Sequence, residues 1–174
     1  GTQTSTLAAG GESPPGAVIA TTEAYNGSAW TSVTSMSNPR FFVGSAGENN
    51  TSVLIFGKEG TTVTESWDGS SWTEVADMNT ARGRFGGTGT QTAALGAGGY
   101  ISPPGTTATE SWNGSSWTSV TSLNTARAYV QTGGTYTSAL TVAGLAPPAT
   151  TLGVVESWNG SAWTEVADVA TPAG

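Results

Sequence analysis

Short runs of alternating apolar and polar residues recur along this chain in a fixed order, and the period of two marks them as strands. In the clearest stretch, 107–112 and 115–120 flank Asn113-Gly114, a dipeptide suited to a tight hairpin turn because its central residues accept positive φ. The same signal stands at Asn26-Gly27, Asp68-Gly69 and Asn159-Gly160. A second pair of strands is expected upstream of each hairpin, as at 84–88 and 93–99, and the run 4–11 matches the latter. No window keeps apolar residues three and four apart over several turns, so helices are not expected. A two-residue turn sets Glu65 opposite Trp72, whereas a four-residue turn sets Glu65 opposite Glu74 and Glu156 opposite Glu165. Like charges directly opposed are unfavourable, which predicts the tight turn. Glu65, Trp67, Trp72 and Glu74 then share one face, with Thr64, Ser66, Ser71 and Thr73 on the other.

The hairpin phrase is itself a repeat. Its second tryptophan falls at Trp30, Trp72, Trp117 and Trp163, spaced by 42, 45 and 46 residues, the interval of a four-stranded propeller blade. Ten residues beyond the first three stand Arg40, Arg82 and Arg127, with Ala173 in the fourth place. These intervals predict an all-β propeller of four four-stranded units, with residues 1–174 as one domain. The chain opens partway through a unit, since Gly1-Thr2-Gln3-Thr4 reproduces Gly89-Thr90-Gln91-Thr92. Pairing of the N- and C-terminal strands would close the ring. The innermost strand of that joined unit falls about five residues short, so either it is shortened or the segment belongs to a longer array.

Composition narrows the chemistry. Only 10 % of residues are charged, yet seven tryptophans supply the apolar area of a folded chain. The net charge of −7, with five basic residues in all, argues against nucleic acid and anionic membranes as partners. Neither cysteine nor histidine is present, which removes disulfides, thiolate chemistry, the common zinc sites and histidine acid–base catalysis. No stretch has the length of a membrane helix, and no dense oxygen-ligand loop suggests Ca²⁺, so no metal and no cofactor are expected.

A Gly-Gly doublet at Gly10-Gly11 and Gly98-Gly99, an aromatic on the third strand (Tyr25, Trp67, Trp112, Trp158), the ruler tryptophan on the fourth and an arginine beyond it together resemble the kelch repeat. Gly57-Lys58 and Gly144-Leu145 stand where the other doublets are expected. The repeated phrase is also similar to arrays of predicted phage-fibre and bacterial surface proteins. These resemblances imply radial blades and binding functions: a non-enzymatic structural or adhesive module of an extracellular or virion surface, whose partners are other subunits or further repeats. A lectin-like propeller contacting cell-surface glycans is the alternative, and a glycosidase a third reading.

Candidate residues divide accordingly. Trp30, Trp67, Trp72, Trp112, Trp117, Trp158 and Trp163 read as packing between units, because equivalent aromatics are what a repeating core requires. Glu23, Glu65, Glu110 and Glu156 form an equivalent set, expected to pair with the repeat arginines. A pair of them could instead serve glycoside hydrolysis, but equivalence opposes the separated pKa values that reaction needs. Arg40, Arg82 and Arg127 could alternatively grip an anionic ligand. Aromatics outside the repeat (Phe41, Phe42, Tyr100, Tyr129, Tyr136) are the natural sugar platforms. Tyr100, Glu12 and Lys58 also stand in the variable loops after the second strands, where recognition is usually placed.

Overall fold

The computed structural model describes residues 1–101, 105–146, 148 and 150–170. All regular structure in them is β. The first sheet comprises β1 (Thr6–Ala9), then, past a short hairpin of β2 (Glu12–Ser13) and β3 (Ala17–Val18), β4 (Thr22–Tyr25) and β5 (Trp30–Val33), in the order β1-β4-β5. The second runs β6 (Gly44–Asn49), β7 (Ser52–Lys58), β8 (Thr61–Trp67), β9 (Trp72–Val75). The third is β10 (Gly86–Gly89), β11 (Ala94–Ala97), β12 (Thr109–Trp112), β13 (Trp117–Val120). In the fourth, β14 (Gln131–Thr135) and β15 (Ser138–Val142) are followed by the hairpin β16 (Leu145–Ala146) and β17 (Thr150–Thr151), then by β18 (Val155–Trp158) and β19 (Trp163–Val166). Every pairing is antiparallel between neighbours, the meander of a propeller blade. The first sheet has three strands, not four, and among the described residues no strand pairing joins the two ends of the chain.

The outer hairpins correct the expected register. Trp67 faces Trp72 and Glu65 faces Glu74, with Glu156 facing Glu165 in the fourth sheet, so the turn has four residues. Two forces outweigh the opposed charges. Asp68 Oδ1 accepts the backbone N–H groups of Ser70 and Ser71, both at 2.8 Å, and Asn113 does the same for Ser115 and Ser116 at 2.9 Å. Glu65 meanwhile is fully buried and neutralised by Arg40. Because the shift is two residues, side-chain parity survives, and the division into an aromatic and a hydroxyl face stands.

That turn titrates. The N–H groups of Ser71 and Ser70 hold the Asp68 carboxyl down from 3.8 to about 2. A depressed carboxylate supports the folded hairpin fully above pH 3.8, and that support fades as pH falls through about 2. A carboxyl-detected NMR titration is expected to place Asp68 near 2; a midpoint at the ordinary value of about 3.9 would mean the cap is not formed.

Three apolar clusters lie between successive sheets. Leu7, Ala9, Val33 and Met36 of the first repeat meet Val53, Ile55, Trp67 and Trp72 of the second. Ala46, Leu54, Phe56 and Met78 meet Phe85, Ala94, Trp112 and Trp117. Leu95, Ala97 and Leu123 meet Ala139, Trp158 and Trp163. The core is thus shared between neighbours, as in other repeat folds. Close approach at strand ends needs positive φ: at Gly98, φ is 68° and an added Cβ would sit 2.9 Å from the Arg127 carbonyl. The equivalent doublet in the fourth sheet is Ala143-Gly144, with φ of 56° and 112°, one residue earlier than the sequence spacing suggests.

Candidate functional site

Each sheet has a leading face, which carries the glutamate and both hairpin aromatics, and a trailing face, which carries the hydroxyls. At each boundary the leading face of one sheet docks on the trailing face of its predecessor through the same polar set. Indole Nε1 of Trp72, Trp117 and Trp163 donates to Thr22, Thr64 and Thr109 at 3.1, 3.1 and 3.2 Å. Arg40 pairs with Glu65, Arg82 Nη1 with Glu110 at 2.6 Å, and Arg127 Nη2 with Glu156 at 3.2 Å. All six side chains are essentially inaccessible. The carboxylates are further saturated by backbone: Glu110 accepts from the N–H groups of Asn79 and Thr80, and Glu156 from those of Asn124 and Thr125. Burial lowers the pKa of Arg82 and of Arg127, partly offset by the partner carboxylates. Glu110 and Glu156 thus each have four donors around a carboxylate with almost no exposed surface.

Two residues past each repeat arginine the backbone turns left-handed. Phe42, Arg84 and Tyr129 have φ of 54°, 56° and 58°, a conformation that bulky side chains seldom adopt. It is fixed by backbone bonds running from repeat to repeat: Arg84 N donates to Phe42 O at 2.8 Å, and Tyr129 N to Arg84 O at 2.7 Å. Their side chains gather on one end of the sheets. The Arg84 guanidinium lies 5.1 Å from the ring centre of Phe42, 4.9 Å from Tyr100 and 5.0 Å from Tyr129. It also donates to the Tyr129 hydroxyl and reaches Glu59 at 3.3 Å. Phe42 is 49 % and Tyr129 43 % exposed. A cleft of about 290 Å³ opens beside them, lined by Arg84, Tyr100, Tyr129, Leu145 and Pro148 among others.

This arrangement is similar to the solved structure of YjhT, a kelch-repeat β-propeller protein, with a TM-score of 0.66 at 13 % identity over 85 % of this chain. The chain has a kelch-like propeller fold. It spans about half the length of YjhT, 52 % of that chain. No family model and no curated protein matches the sequence.

Within this propeller the candidate residues fall in different places. Trp67, Trp72, Trp112, Trp117, Trp158 and Trp163 are buried between sheets, whereas Trp30 is 50 % exposed on the leading face of the first. Glu23 shares that face, exposed, and has no ion pair among the described residues. Arg40, Arg82 and Arg127, weighed as ligand contacts, are sealed inside the boundaries. Tyr100 joins the Arg84 cluster; Glu12 lines a neighbouring cleft with Phe41 and Phe42. Lys58 lies apart, donating to the Pro39 carbonyl at 3.3 Å, and Tyr136 sits in the β14–β15 turn. Sequence reasoning missed Arg84. Its signal was positional: Phe42, Arg84 and Tyr129 each stand two residues after a repeat arginine, one repeat position held by two aromatics and a cation.

Proposed function

We propose that this propeller is a non-enzymatic adhesive module of an extracellular or virion surface assembly, and that it contacts glycans through the end carrying Phe42, Arg84, Tyr100 and Tyr129. The observation that carries the reading is the aromatic cluster around one guanidinium, with Phe42 and Tyr129 exposed and Tyr100 half-buried beside them. Aromatic faces pack against the apolar face of a sugar ring, and the guanidinium supplies donors for its hydroxyls. Three left-handed residues in register hold these side chains in place, and backbone strain of this kind concentrates at ligand sites. The non-enzymatic part rests on the carboxylates: three of the four repeat glutamates are buried, paired with an arginine, and bonded to at least one backbone N–H.

A glycan array probed with the whole chain tests this. A bound glycan is expected to lose affinity by about 2- to 10-fold on Tyr129→Ala and on Tyr100→Ala, with the far-UV spectrum unchanged. An array without signal ends the glycan reading.

A further inference from the structure

The three internal boundaries define what a leading face requires of its partner: a threonine hydroxyl to accept the indole N–H, an arginine for the glutamate, and an apolar residue ahead of that arginine. The leading face of the first sheet retains its half of this set. Glu23, Tyr25 and Trp30 stand on it, the aromatic pair stacked at 5.1 Å as in the other hairpins, where the corresponding distances are 5.3, 5.5 and 5.3 Å. Yet Trp30 is 50 % exposed, against 8, 6 and 5 % for Trp72, Trp117 and Trp163. The aromatic geometry therefore forms without a partner, and the face is left open.

At the far end, the trailing face of the fourth sheet has lost the reciprocal half. Val155 pairs with Val166 as Thr22, Thr64 and Thr109 pair with Val33, Val75 and Val120, so valine stands where the indole acceptor belongs. In the sequence, Ala170 follows Trp163 by seven residues, as Asn79 and Asn124 follow Trp72 and Trp117, and Ala173 follows it by ten, as the arginines follow theirs. The apolar members remain, with Leu140 and Val166 exposed at 45 and 41 %. Docking Trp30 and Glu23 there would strand an indole N–H and a carboxylate without partners, which costs more than the apolar contact recovers.

We infer that the leading face of the first sheet docks a repeat sheet of the threonine-and-arginine kind from outside these residues, and that the fourth sheet of a second copy is rejected. The interface continues the ones within the chain, and its charges are complementary: Glu23 on this side, a guanidinium on the other. The inference stands independently of the glycan reading, because it concerns a different face and no ligand.

The test builds the missing partner into the same chain. Val155→Thr, nearly isosteric, combined with Ala170→Asn and Ala173→Arg, gives the fourth repeat the residues that the second and third carry at the corresponding sequence positions. Sedimentation velocity over a concentration series is expected to show the original chain as a monomer and the triple variant associating head to tail, tighter by at least about 10-fold, the scale of one restored charged hydrogen-bond set. Adding Trp30→Ala or Glu23→Gln to the triple variant is expected to abolish the gain. Three results overturn the inference: a folded triple variant that stays monomeric, association indifferent to Trp30 and Glu23, or self-association of the original chain that Trp30→Ala removes.

Discussion

Replacing Arg82 with methionine is expected to destabilise the propeller by about 3–5 kcal/mol, the range for removing one partner of a buried ion pair. The reason lies on the other side of the boundary. Glu110 remains, nearly inaccessible, with the Asn79 and Thr80 donors but, among the described residues, no countercharge within salt-bridge distance. Arg82 Nη2 also donates to the Gly96 carbonyl at 3.1 Å, so the inner strands of the third sheet lose an anchor as well. Adding Glu110→Gln to Arg82→Met removes the stranded charge and is expected to recover a substantial part of the loss. Urea unfolding of the two variants decides it: a cost under about 1 kcal/mol for Arg82→Met would place the pair among ordinary surface bridges. Arg127→Met is expected to cost less, because the contact it makes to Glu156 is longer and its Nε and Nη1 have no partner among the described residues.

Trp117→Ala is the second large effect, about 3–5 kcal/mol. Trp117 packs 4.6 Å from Phe56 and 5.5 Å from Trp112, in the cluster joining the second and third sheets. Its loss empties that boundary and leaves the buried Thr64 hydroxyl without the indole donor. Trp30→Ala, the same change at the equivalent position on an open face, is expected to cost little, since half of that side chain already faces water. Parallel denaturation curves measure the contrast, and equal losses would contradict the boundary assignment.

The architecture was readable because each boundary repeats the same residues: the tryptophan interval gave the sheets, and the arginine ten residues on proved to be the partner of the next glutamate. The turn register was not, for a physical reason. Opposed glutamates look prohibitive only while both are assumed to face water, and the countercharge for Glu65 comes from a different repeat. The capping of Ser70 and Ser71 by Asp68 was equally local and equally decisive, yet Asp-Gly also suits a two-residue turn. At the aromatic end, Phe42, Tyr100 and Tyr129 stood out as aromatics outside the hairpin pattern, but what brings Phe42 and Tyr129 to Arg84 is a backbone conformation that composition does not announce.

That conformation separates two jobs within one polypeptide. Since the links from Phe42 to Arg84 and from Arg84 to Tyr129 are main-chain bonds, the frame at these positions asks of a side chain only that it tolerate a left-handed backbone, which disfavours β-branched residues and proline. A replacement at Phe42, Arg84 or Tyr129 that accepts positive φ is therefore expected to change the surface displayed at that end while the bonds between repeats stay in place.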